Sequence, residues 1–143
     1  MNTGLRIGDV LELKKSNFSN NFLFLKEQKT GKIQNRKVNI EIIKKIEEYC
    51  NKKSLQEDDK LFSIKVRWVQ RYIQKISSIL KVKGISTHSF RKTYAHLQYL
   101  NNKCNVELVR KLLNHSSVAV TQRYLGITDE EVNNASENFK IIF

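Results

Sequence analysis

Six side chains carry the chemistry this sequence could perform: Arg6, Lys29, His88, Arg91, His115 and Tyr124. His88 and Arg91 are three residues apart at a helix start, so they share a face beside the free N–H groups and positive dipole end of the first turn, a setting that favours an anion. A phosphate fits there; taken alone, the pair is more simply a solvated histidine and a surface arginine. His115 and Tyr124 stand on the stretch "LLNHSSVAVTQRYLGI". An unperturbed tyrosine hydroxyl ionises only near pH ~10 and is a poor nucleophile until adjacent cations stabilise the phenolate. Arg91 and His115 could supply that charge; without them Tyr124 is a half-buried aromatic with a hydrogen-bonded hydroxyl. Arg6 follows a glycine in "TGLRIGDVLEL", and Lys29 stands at a turn, where a lysine is commonly mere solvation. As a set, two arginine forks, a nucleophile and proton donors are the groups that break a phosphodiester without a metal.

Complementary signals are missing. Asp58, Asp59, Glu130 and Glu131 sit as adjacent pairs in polar segments, without the neighbouring ligands a divalent cation needs, so no metal site is expected. "KTGK" is too short for a nucleotide-phosphate loop, and no cofactor is expected. Cys50 and Cys104 are far apart with no paired spacing, and read as reduced and structural.

The balance of 26 Lys and Arg against 14 Asp and Glu, a net charge of +12, favours a polyanionic partner, nucleic acid ahead of an anionic membrane. No signal-peptide pattern opens the chain and no apolar run nears the roughly 20 residues of a membrane span, so the cytoplasm is expected and no membrane partner. At 143 residues with 40% hydrophobic content, one domain is the default.

The elements that must position the six residues follow from periodicity. Residues 6 to 15 place Ile7, Val10, Leu11 and Lys14 at helical spacing. Extended segments Phe22 to Gln28 and Ile33 to Ile40 flank Lys29 to Lys32, where Gly31 can supply a positive φ, so a β-hairpin presents Lys29 at its turn. A helix over 41 to 51 is followed by the acidic loop "QEDDK". A longer helix over 65 to 82 carries Trp68, Val69, Tyr72, Ile73, Ile76, Ile79 and Leu80 on a stripe expected to pack, with Lys65, Arg67, Arg71 and Lys75 on the other side, facing solvent or DNA backbone. Gly84 is expected to end it, and Ser86 or Thr87 to cap the next helix, "HSFRKTYAHLQYL". Three further helices, about 105 to 114, 117 to 125 and 129 to 139, complete the chain, the last with Thr128 and Glu131 in capping-box spacing. The fold class is α+β, mainly α-helical, with one small hairpin or sheet.

In order along the chain, "TGLRIGDVLELKKSNF", "KTGKIQNRKVNI", "HSFRKTYAH", "LLNHSS" and "TQRYLGI" resemble the five motif segments of the tyrosine recombinases, the phage-type integrases. The resemblance implies a tyrosine-recombinase-like catalytic core acting on double-stranded DNA in site-specific recombination, as integrases of mobile elements do. Arg6 and Arg91 would clamp the scissile phosphate, Lys29 would protonate the departing 5′ oxygen, His88 would assist proton transfer and His115 would hydrogen-bond the phosphate. Tyr124 would attack, leaving a 3′-phosphotyrosyl link whose retained bond energy lets another 5′ hydroxyl reverse the step without ATP or metal. Because Arg6 stands so near Met1, residues 1 to 143 read as a single catalytic-domain fragment, lacking the DNA-clamping domain and first catalytic helices of the family. The terminal segment Phe139, Ile141, Ile142 and Phe143 would dock into a neighbouring protomer of a tetramer on DNA, or pack on its own domain. A catalytically silent DNA-binding remnant and a type IB topoisomerase-like relaxing enzyme are the rival readings.

Overall fold

A computed structural model describes residues 2–126 and 128–139 of the chain. They divide into two compact units, Met1–Tyr94 and Ala95–Phe143. No described helix is long and apolar enough to cross a membrane.

In the first unit, helix α1 spans only Ile7–Leu11. The helix predicted to reach residue 15 stops there because Lys14 is extended, bridges Lys60, and has its N–H capped by Asn17 Oδ1 at 2.8 Å. A 3₁₀ turn over Lys15–Asn17 then leads into a strand that periodicity did not predict, β1 (Phe18–Ser19). It pairs with β2 (Phe22–Lys26), which pairs with β3 (Ile33–Lys37), giving a three-stranded antiparallel sheet in sequence order rather than a lone hairpin. The link between β1 and β2 is Asn20-Asn21, with φ of 49° and 64°, the doubly left-handed backbone that two-residue hairpins require and asparagine tolerates. β2 and β3 are shorter than predicted: beyond Lys26 and before Ile33 the chain is committed to the turn, and Asn39 already caps the next helix.

That helix, α2 (Ile40–Lys52), begins with Asn39 Oδ1 accepting from the Glu41 N–H at 2.8 Å. Its Cys50 is fully buried and joins Leu5, Leu13, Leu23 and Leu61 in the core of the unit, as a small hydrophobe does; Cys104 is exposed, so only the first cysteine has a packing role.

Helix α3 (Val66–Ile79) has no buried residue. The stripe expected to pack does so only in part: Val69 and Ile73 are half-buried, while Trp68 and Tyr72 are 53% and 52% exposed and Ile79 69%. Periodicity identifies which residues share a face, not whether anything lies over it. Trp68 and Tyr72, four apart, cover each other, stacked at 5.1 Å between ring centroids. Lys65, Arg67, Arg71 and Lys75 are exposed as expected. The helix ends at Leu80, followed by Lys81 in the left-handed region (φ 54°), not at the predicted Gly84, which lies in the loop beyond.

Helix α4 (Thr87–Asn101) opens with Ser86 at its N-cap, whose N–H donates to Ser89 Oγ at 3.0 Å. In the second unit, α5 (Val106–Leu113) starts with Asn105 accepting from the Leu108 N–H and ends at Asn114, φ 56°. Helix α6 (Val118–Leu125) starts at the Ser117 cap and ends at Gly126, φ 76°. Helix α7 spans Asp129–Glu137. The Glu131 half of the expected capping box, and Ile141, Ile142 and Phe143, lie outside the described residues and side chains; Phe139 is 73% exposed.

Candidate active site

Arg6, Lys29, His88 and Arg91 line one cavity of about 220 Å³ in the first unit, together with Asp9 and Gln28. Arg6 arrives as the N-cap of α1, Lys29 from the turn between β2 and β3, and His88 and Arg91 from the first turns of α4. Three cations and a histidine thus converge at a helix N-terminus, a setting in which fixed charge and free N–H groups favour a phosphate.

The arginines differ in how they are held. Arg91 is 4% exposed, and its Nη1 donates to the Gly4 carbonyl at 2.6 Å. Gly4 has φ +57°, and a Cβ at that position would collide with the Tyr94 ring, so only glycine lets the "TGLR" segment lie this close to α4. Arg36, from β3, donates through Nη2 to the Thr3 carbonyl. Burial lowers the Arg36 pKa, against the opposing influence of Tyr94 and Glu27. Two arginines from different elements therefore fix the Thr3 and Gly4 carbonyls, which lead through Leu5 into Arg6.

Arg6 itself is 21% exposed at the side chain and donates through Nη1 to Glu27 Oε2 at 2.7 Å. Glu27, fully buried at the side chain, also accepts from Gln34 Nε2 at 2.6 Å and Thr30 Oγ1 at 2.5 Å. Burial pushes its carboxyl up, yet the hydrogen bonds from Thr30 and Gln34 and the Arg6 charge prevail and hold it below the usual carboxylate value. On the other side of Lys29, buried Asp9 accepts the Gln28 N–H through Oδ1 at 2.9 Å, while its Oδ2 is buried without a hydrogen-bond partner among the described residues. Lys29 is exposed between two anchored neighbours.

The second unit holds His115 and Tyr124. Their rings meet edge to face, 5.3 Å between centroids and 77° between planes. His115 is 7% exposed, and its Nδ1 lies 3.1 Å from the hydroxyl of fully buried Thr121, which in turn lies 3.4 Å from the Ser117 carbonyl. The turn carrying His115 is pinned by Arg110, which donates through Nη1 to the His115 carbonyl at 2.9 Å and forks onto Glu107 with two bonds of 2.6 Å. The bond from Arg110 holds the Glu107 carboxyl below its ordinary value.

Periodicity and motif reading left Glu27, Asp9, Thr121 and Arg110 unremarked. Asp9 and Arg110 each carry a local signal, three residues from Arg6 and Glu107 respectively; Glu27 carries none, since its arginine is 21 residues away. Lys65, Arg67, Arg71 and Lys75 do not line the cavity; Lys65 borders a neighbouring cleft that shares Gly8 and Gln28 with it.

The sequence matches the model of the phage integrase family over residues 1–131. It is 35% identical over 144 residues to a probable integrase/recombinase, YoeC, of Bacillus subtilis, covering 95% of this chain and 77% of that one. A tyrosine recombinase XerC of Caldanaerobacter subterraneus subsp. tengcongensis is 27% identical across 94% of this chain and 41% of the relative. The crystal structure of XerA recombinase shares the fold, with a TM-score of 0.70 at 22% identity over 99% of this chain and 55% of that chain. The chain thus spans about half the length of the XerC and XerA proteins it matches.

Proposed function

The chain belongs to the phage integrase family, the tyrosine recombinases, and from that membership we propose that it cleaves and rejoins DNA strands through a covalent tyrosine intermediate, in site-specific recombination. The observation that carries this reading is the convergence of Arg6, Lys29, His88 and Arg91 on one cavity, with His115 and Tyr124 in ring contact on the second unit.

In this reading Arg6 and Arg91 bind the non-bridging oxygens of the scissile phosphate and offset the charge that builds in the pentavalent transition state. The Tyr124 oxygen attacks phosphorus as its proton leaves with help from His88. The bond to the 5′ oxygen breaks and that oxygen takes a proton from Lys29, while His115 hydrogen-bonds the phosphate. The 3′-phosphotyrosyl product keeps the bond energy, so attack by a 5′ hydroxyl of another strand restores the tyrosine and joins DNA.

The substrate is double-stranded DNA, with Lys65, Arg67, Arg71 and Lys75 on backbone phosphates. The protein acts as the integrase of a mobile element at the bacterial nucleoid in the cytoplasm. Its C-terminal segment, of which Phe139 is the described part, joins protomers into a tetramer on DNA.

The test is a suicide-substrate assay. Nicked duplex carrying candidate attachment-site DNA is incubated with the chain in EDTA, and denaturation-resistant adduct is scored, with Tyr124→Phe as control. An adduct that vanishes in the variant supports metal-free tyrosine chemistry. Salt-sensitive binding with no adduct from the wild type favours the silent DNA-binding remnant instead.

A further inference from the structure

We propose that Glu27 is a positioning residue for strand cleavage: its buried carboxylate locks Arg6 and the turn that carries Lys29 into one arrangement before DNA arrives. The proposal rests on the roles given above to Arg6 and Lys29, and adds a group that touches neither the phosphate nor a base.

Glu27 is wholly enclosed at the side chain, and it accepts from donors in three places: Arg6 ahead of α1, Thr30 within the turn and Gln34 on β3. The turn does not need this charge for its own closure. Backbone bonds from the Glu27 N–H to the Lys32 carbonyl and from the Gly31 N–H to the Glu27 carbonyl, both 2.9 Å, already close it. A buried carboxylate without a cation is costly; Glu27 feels the charge of Arg36 and is hydrogen-bonded to the Arg6 guanidinium, and of these two arginines it is Arg6 that borders the cavity. The ionised form is secured by the hydrogen bonds and charge that hold its carboxyl low.

The consequence for Arg6 is preorganisation. A guanidinium carries five N–H donors, and the bond to Glu27 engages Nη1 while the side chain still borders the cavity. An arginine tethered this way loses its rotamer freedom when the protein folds, not when the phosphate binds, and the gain falls on the transition state. Through Thr30 the same carboxylate fixes the residue next to Lys29, so clamp and proton donor keep their spacing.

The experiment compares single-turnover adduct formation on the nicked duplex that the wild type cuts, for wild type, Glu27→Gln and Thr30→Val. Non-covalent affinity for that duplex is measured by fluorescence anisotropy in the Tyr124→Phe background. Glu27→Gln is expected to slow adduct formation at least about tenfold with affinity unchanged or tighter, since a negative charge beside the phosphate site is gone. Thr30→Val, on the exposed turn, shows a smaller loss of the same kind. In an Arg6→Ala background, Glu27→Gln slows cleavage less than it does in the wild type, by no more than Thr30→Val does, because only the hold on the Lys29 turn is then left to lose. Wild-type cleavage rates in Glu27→Gln, or rate, affinity and melting temperature falling together in both variants, overturn the proposal. A wild type that forms no adduct overturns the function reading and this proposal with it, whereas an active wild type with an equally active Glu27→Gln overturns this one alone.

Discussion

Gly4→Ala tests whether the approach of the "TGLR" segment to α4 is as tight as the structure draws it. An alanine held at φ +57° costs about 1–2 kcal/mol in the left-handed region. Its Cβ would also overlap three atoms of the buried Tyr94 ring, and overpacking of that kind costs about 1–3 kcal/mol. The bond from Arg91 Nη1 to the Gly4 carbonyl, 2.6 Å long, is strained or lost when the segment lifts, which adds about 1 kcal/mol. The expected loss is therefore about 3–6 kcal/mol, a large part of the ~5–15 kcal/mol that stabilises a domain. Urea unfolding of Gly4→Ala measures it, with Gly84→Ala as the reference: Gly84 has φ +76° and nothing within 4 Å of an added Cβ, so only the backbone penalty applies there. The difference between the two variants isolates the collision with Tyr94. Equal losses for both would refute the packing argument, and a Gly4→Ala within about 1 kcal/mol of wild type would refute the backbone conformation as well.

Thr121→Val removes the hydroxyl beside His115 Nδ1 and should cost about 1–3 kcal/mol in urea while moving the His115 ring nitrogen resonances; Thr121→Ser should restore both. The Glu27 carboxyl is held below its usual value of about 4.5, so its contribution to stability is present above that pH and is lost as pH falls through the lower folded value. The wild type should therefore exceed Glu27→Gln in urea midpoint at pH 7, with the gap shrinking below about pH 4; a gap that grows on acidification contradicts the sign. Arg67, Arg71 and Lys75 are exposed, so replacing all three by alanine should leave the melting temperature near wild type. If they meet DNA phosphates, the slope of log affinity against log salt should flatten by about 1 per contact, and an unchanged slope removes them from the interface.

What the sequence made legible was whatever is encoded within a few residues. Helices α5 and α6 fall within a residue or so of their predicted limits because Asn105, Ser117 and Gly126 cap them locally. The grouping of His88 with Arg91 follows from helical spacing, and all four first-unit residues picked out by chemistry do border one cavity. The Asn20-Asn21 turn is also local, a pair that tolerates left-handed backbone. Two other features were not readable. The α3 stripe announces an apolar face, but burial depends on what lies over it, and Trp68 is 53% exposed. Glu27 lies in an ordinary strand-to-turn stretch, and only the folded sheet brings it to an arginine 21 residues away.

The two arginines proposed to hold the phosphate are each already engaged, and by acceptors of different kind. Arg91 donates to a neutral carbonyl of Gly4, Arg6 to a charged carboxylate. The bond to the Gly4 carbonyl orients the Arg91 guanidinium without offsetting its charge, whereas the bond to a buried carboxylate also offsets part of the Arg6 charge. Arg6 gains fixed geometry at the expense of some of its field. Arg6, Lys29 and Arg91 around about 220 Å³ would otherwise repel one another, and Glu27 and Asp9 reduce that repulsion at the Arg6 and Lys29 side of the cavity. Substitutions should then divide by type: loss of Arg91 weakens both DNA binding and cleavage, while loss of Glu27 leaves binding and removes rate. Measured on one nicked duplex, those two profiles separate the charge that attracts the strand from the geometry that cuts it.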